Sequence, residues 1–138
     1  MHMRLVLLIV LVSILTTSCK SSDIDFFESA YGEPSDQIKI ISYHTEVSDN
    51  LFKNEYAWLL DVSADGEWVN RVSSTEFRIS DNSDNGFYVV KHLISKFPHA
   101  FSAESTKRLY FVKEIERRSH YLLRTEQGNN AIYYISTI

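Results

Sequence analysis

The chain has 138 residues, 44% of them hydrophobic and 13% aromatic, with a formal net charge of −4. That composition excludes a disordered polymer and suits one globular domain with a core that needs no disulfide staples. The acidic balance argues against a nucleic-acid partner, and a single cysteine excludes a disulfide framework.

The first segment is an address. Arg4 and the amino terminus are positive, and Leu5 to Leu15 is apolar at every position but Ser13. Eleven residues of helix reach only about 16 Å, whereas a bilayer core needs about 20 apolar residues, so the run reads as the apolar part of a signal peptide rather than a membrane span. Thr16, Thr17, Ser18 and Cys19 follow. This order resembles a bacterial lipoprotein signal, which implies a lipid on the Cys19 thiol, cleavage before it and acylation of the new amino terminus. Such signals usually carry Leu three residues before the cysteine, where this chain has Thr16 and places Leu15 one further back. The plain alternative is an ordinary secretory signal with an incidental cysteine. Acylation would consume the one thiol of an exported chain, and acyl chains at about 0.8 kcal/mol per buried methylene make a lasting anchor. Lys20 rather than Asp follows the cysteine, which under the sorting rule of such lipoproteins points to the outer membrane, periplasmic face, in a cell that has one. The expected organisation is a signal peptide over 1–18, an acylated tether over 19–23 and a single globular domain over 24–138.

The elements follow in chain order. Asp23 to Ala30 reads as a short helix stopped by Gly32 and Pro34. Ile38 to Val47, rich in β-branched and aromatic residues, reads as a strand. Residues 51–62 fit a helical stripe or a strand; the reading adopted is a strand over Glu55–Ser63, with Ser63 opening a short helix through Trp68, Val69 and Val72. A hairpin turn at Asp65-Gly66 is the alternative. Phe77 to Ser80 reads as a short strand. Phe87, Val90, Leu93, Ile94 and Phe97 fall on one helical face ending at Pro98, although the valines leave a strand open. The last third reads as an antiparallel meander. Leu109, Phe111 and Ile115 alternate around Tyr110, Val112 and Glu114; Tyr121, Leu123 and Thr125 around His120, Leu122 and Arg124; Ala131, Tyr133 and Ile135 around Ile132, Tyr134 and Ser136, with turns at Glu116–Ser119 and Gln127–Asn130. Aromatics of both parities imply a sheet covered on both sides, or one face recruited for binding. The fold class expected is α+β: a mainly antiparallel sheet, a C-terminal three-stranded meander and one to three short helices.

The layout of short helix, Gly, Pro, strand, Trp-bearing strand and terminal YLLRTEQGNNAIYYI hairpin resembles small uncharacterised bacterial lipoproteins. The resemblance is one of pattern and implies no active-site residue.

Charge is uneven. Lys20 to Asn85 holds five basic against fourteen acidic residues, and Gly86 to Ile138 eight against four. Either the halves neutralise one another on folding, or Lys107, Arg108, Lys113, Arg117, Arg118 and Arg124 form a basic face.

Chemistry-bearing patterns are sparse. His44, His92, His99 and His120 form no HxH or HExxH pair, and no thiol is left to join them in a zinc site; His120 on a strand face and His92 on the polar side of its helix each read as a surface residue rather than a ligand. No serine sits in a nucleophile elbow or an S-x-x-K motif, and Ser73-x-x-Glu76 suits a capping box. The carboxylates Asp23/Asp25 and Glu114/Glu116 have strand spacing but no partner acid. Asp81-Asn82-Ser83-Asp84-Asn85-Gly86 matches the first half of a calcium loop, yet the twelfth position is His92 rather than a bidentate Glu, so a polar turn is the reading. No catalytic residue, metal ligand or cofactor is expected, and Cys19 is the one assigned site. Two classes of function remain: a non-enzymatic binding module for an envelope protein or cell-wall partner, inhibitor and immunity proteins included, and a small periplasmic enzyme with an unrecognised active site. The first is favoured because catalysis normally needs a convergent set of titratable groups.

Overall fold

The structure is a computed structural model that describes residues 36–47, 54–73, 75–77 and 85–137. The signal region, Cys19, the helix expected at 23–30 and the stretch 78–84 lie outside the described residues. Among those described, six strands and two helices follow the order β1 (Lys39–Val47), β2 (Asn54–Asp61), α1 (Gly66–Val72), β3 (Thr75–Phe77), α2 (Asn85–Lys96), β4 (Lys107–Ile115), β5 (Arg118–Thr125) and β6 (Asn130–Thr137). The fold is α+β, and none of these helices is long and apolar enough to cross a membrane.

All strands pair antiparallel in the order β1-β2-β6-β5-β4-β3, five of them long and β3 only three residues. The expected meander is β4-β5-β6. It joins the β1-β2 hairpin through β2·β6, where Trp58 stands opposite Tyr133 and Ala57 opposite Tyr134. This pairing brings residues about 75 positions apart into register, and no local pattern specifies it.

The two ambiguous stretches resolve by their caps. Asp61 ends β2 by accepting hydrogen bonds from the Ser63 amide (3.0 Å) and hydroxyl (2.6 Å). The N-cap of α1 is Asp65, not Ser63: its carboxylate accepts from the Trp68 amide at 3.0 Å, so Asp65-Gly66 opens a helix rather than a hairpin. Glu67 in the first turn and Arg71 in the last complement the helix dipole. Ser73 closes the helix, its hydroxyl donating to the Val69 carbonyl at 2.8 Å; with Glu76 in β3, the Ser73-x-x-Glu76 capping box does not form. Helix α2 runs to Lys96, and Phe97 still donates to the Leu93 carbonyl before Pro98 ends the ladder.

Each helix covers one side of the sheet. Under α2, Val90, Leu93 and Phe97 pack on Ala57, Leu59, Leu109, Leu123, Ile132 and Tyr134. On the other side, α1 buries Trp68, Val69 and Val72, with the Trp68 ring 6.3 Å from Tyr133. Aromatic chains run through both layers: Tyr43–Trp58–Tyr133–Trp68 on the α1 side, Phe111–Tyr121–Tyr134–His92 on the α2 side. Aromatic pairs of this kind contribute about 0.5–1.5 kcal/mol beyond area burial.

Register corrects the simple alternation in β4. A bulge between Phe111 and Lys113 leaves buried Val112 as the extra residue, so Lys113 stands opposite His120 and Ile115 opposite Arg118. Ile115 therefore leaves the side that Leu109 and Phe111 share and is half exposed. The following turn is shorter than expected, only Glu116 and Arg117, both at positive φ (50° and 66°), and Glu116 is not a strand partner of Glu114.

Candidate functional site

Among the described residues, three groupings of polar side chains emerge from this frame. The first lies where α2 crosses the β1-β2 edge. Glu46 and Glu55 are directly opposite in the β1·β2 ladder, an arrangement of like charges that is unfavourable unless a cation intervenes. Helix α2 supplies two groups one turn apart. The Nε2 of His92 lies 2.7 Å from Glu55 Oε2, and Lys96 Nζ donates to Glu46 Oε2 at 3.0 Å. The Lys96 hydrogen bond and charge hold the Glu46 carboxyl below its ordinary range, and His92 and His44 add to this. Below the cluster, burial pushes the Tyr134 phenol well above its ordinary range; its hydroxyl is hydrogen-bonded with Ser136 and Glu55, and the Glu55 charge raises it further. One ligand atom from each of Glu46, Glu55 and His92 falls within 4.8 Å of the others.

The second grouping is a pocket of about 410 Å³ between the loop after α2 and the β5-β6 turn. Its walls are tied down from several directions. Lys107 Nζ donates to the carbonyls of Ser102 and Ala103 at 3.0 and 3.2 Å, Asn130 Nδ2 to that of Ala100 at 2.9 Å, and the Val62 amide to that of Asn129 at 2.8 Å. The lining is hydroxyl and amide chemistry (Ser102, Ser105, Thr106, Gln127, Asn129, Asn130) beside the half-buried ring of Phe101. Its one carboxylate, Glu126, is paired with the Arg108 guanidinium. Gly128 permits the tight turn: a Cβ there would meet Thr125 Oγ1 at 2.1 Å.

The third is buried. His120, expected at the surface, is 4% exposed, with Nδ1 2.9 Å from the Tyr133 hydroxyl. Burial, with the charges of Lys113 and Arg118 nearby, lowers its pKa to about 4.

The expected basic face divides. Arg108, Lys113, Arg118 and Arg124 fall on the α1 side of β4-β5 by register, Arg108 directly opposite Arg124. Lys107 turns to the pocket loop and Arg117 sits in the turn. Arg108 is engaged by Glu126, and Arg124 donates to Asn70 at 3.3 Å. Of the histidines, His99 is exposed, and His92 is half-buried against Glu55 rather than on a solvent face. Asn85, the fifth position of the calcium-like string, opens α2, and Asp81 to Asp84 lie outside the described residues. Sequence reading missed the Glu46–Glu55–His92 grouping. Its single available signal was that Glu46 and Glu55 flank a hairpin connection at equal distances from its centre. Comparison with known proteins finds no protein family that the chain matches, no similar curated protein and no similar solved structure.

Proposed function

We propose that this chain is a non-enzymatic binding module of a bacterial cell envelope, acylated at Cys19 after removal of residues 1–18. Its single domain holds an envelope protein or a cell-wall component close to the membrane. An inhibitor or immunity protein is one form of such a module. The anchor rests on the order of positive residue, short apolar run, small residues and cysteine at the amino terminus. In a cell with two membranes, Lys20 after the cysteine favours the outer one.

The observation that carries the binding role is the lining of the pocket between Ala100 and Asn130. Neutral hydroxyl and amide groups beside an aromatic ring donate and accept hydrogen bonds at a smaller desolvation cost than charged groups, and so suit holding a polar partner. The single carboxylate there is already neutralised by Arg108.

Two measurements test the reading. Mass spectrometry of the membrane-extracted protein should find acyl chains on Cys19, and Cys19→Ser should leave uncleaved precursor; normal processing and release of that variant would refute the anchor. For the binding role, the acylated protein and a Gln127→Trp variant, which fills the exposed mouth of the pocket, are cross-linked in envelope fractions. The variant should lose the partner that the parent captures. Capture unchanged by the added ring, or chemical conversion of the captured partner, would overturn the pocket as a binding site.

A further inference from the structure

The grouping at the β1-β2 edge has the chemistry of a metal site, and this stands apart from the pocket. Two carboxylates opposed across a strand pair and an imidazole from the overlying helix converge from three elements, each within 4.8 Å of the others. His92 and Glu55 are partly open to solvent, with side chains 34% and 28% exposed, so an ion can reach them. An independent mark comes from His44. It lies two residues before Glu46, on the same side of β1, and its Nε2 is buried with no hydrogen-bond partner. A dry imidazole nitrogen without a partner is costly, and His44 is near enough to Glu46 to act on its carboxyl. We propose that Glu46, Glu55 and His92 bind a zinc-like divalent transition-metal ion, with water completing its coordination.

The donor set selects the class of ion. Imidazole and carboxylate together suit zinc and its neighbours, whereas calcium and magnesium take oxygen almost exclusively. Zinc holds imidazole nitrogen and carboxylate oxygen at about 2.0–2.2 Å, which sets ligand atoms about 3.3 Å apart in a tetrahedron. The His92–Glu55 pair, now 2.7 Å apart, would open by about half an ångström as the ion takes the place of their hydrogen bond. His92 then carries its ring proton on Nδ1 and offers the Nε2 lone pair to the ion. Lys96 now puts an ammonium against Glu46, and its flexible four-carbon stem lets it swing out when the ion enters. Tyr134 holds Glu55 from beneath, the outer support that metal-bound carboxylates ordinarily have. The bound ion would clamp α2 to the edge hairpin.

The test uses the untagged full chain in detergent, carrying Cys19→Ser so that no thiol competes, titrated with zinc chloride, cobalt chloride and calcium chloride. About one equivalent of zinc should bind, and thermal unfolding should shift upward by several degrees at saturation. Cobalt should give the visible absorption of a four- or five-coordinate site. Glu55→Gln and His92→Gln, each first checked for a native circular dichroism spectrum, should weaken zinc at least tenfold. Lys96→Met should tighten it, because the competing ammonium is gone. A purely structural ion-pair cluster predicts instead that Lys96→Met changes stability alone. Absence of zinc binding at millimolar concentration, zinc binding indifferent to Glu55→Gln and His92→Gln, or calcium bound in preference to zinc would each overturn the proposal.

Discussion

Tyr133 and Tyr134 are adjacent in β6, yet each is buried in a different layer of the protein. Tyr133 packs against Trp68, Trp58 and His120 on the α1 side, and Tyr134 against Tyr121 and His92 on the α2 side. Both phenols also have polar partners, Tyr133 in His120 and Tyr134 in Glu55 and Ser136. Tyr133→Ala and Tyr134→Ala should therefore each destabilise the fold by about 3–5 kcal/mol, the range for removing a large buried ring. Urea midpoints measure this. A silent substitution at either position would mean that its face of the sheet is not covered.

His120 makes stability depend on pH in a defined window. Its folded pKa, about 4, lies below the ordinary 6.5. Between these values the unfolded chain binds the proton and the folded chain does not, so stability rises with pH across the window. The contribution is fully present above pH 6.5 and is lost as the pH falls toward 4. Its size is on the order of 3 kcal/mol. In paired urea titrations between pH 4 and 7, the parent should lose stability on acidification more steeply than a His120→Asn variant. Carboxylates such as Glu46 and Asp61 titrate in both proteins and cancel in the difference. Parallel curves would show that His120 is not held neutral.

The β4-β5 turn is strained by its side chains. Glu116 and Arg117 both adopt positive φ, as a two-residue turn of this hand requires, without the Asn-Gly that usually occupies it. Replacing them with Asn and Gly should stabilise the protein by about 1 kcal/mol. An increase in the urea midpoint with unchanged slope is the expected readout. A decrease would mean that the two side chains make contacts worth more than the strain.

Gly128 should not tolerate a side chain. An added Cβ would press on the buried Thr125 hydroxyl, and a β-branched residue in a strand has little freedom to move aside. Gly128→Ala should cost about 1–3 kcal/mol and deform the pocket wall. Melting temperature checks the first effect, and loss of partner capture the second.

Local periodicity carried most of the elements. Alternation in Lys107–Thr137 marked three strands because side chains of a strand take opposite faces whatever lies beyond them. The stripe from Phe87 to Phe97 marked α2 for the corresponding reason at helical spacing, and Pro98 marked its end. The proposed envelope anchor rests on the short apolar run and Cys19, by length and order alone. What needed the tertiary structure was everything set by burial across long separations. Pairing of β2 with β6 places Trp58 opposite Tyr133, and nothing in either strand names its partner. The Val112 bulge is a compromise between two strands, invisible in one, and it moves Lys113 to His120 and Ile115 to the other face. His120 read as polar and exposed, but the cost of its burial is offset by the Tyr133 hydroxyl, thirteen residues away. Glu46, Glu55 and His92 meet only because α2 lies across the edge hairpin. A convergent set of ligands drawn from separate elements leaves no spacing in the chain, since its geometry comes from packing and not from periodicity.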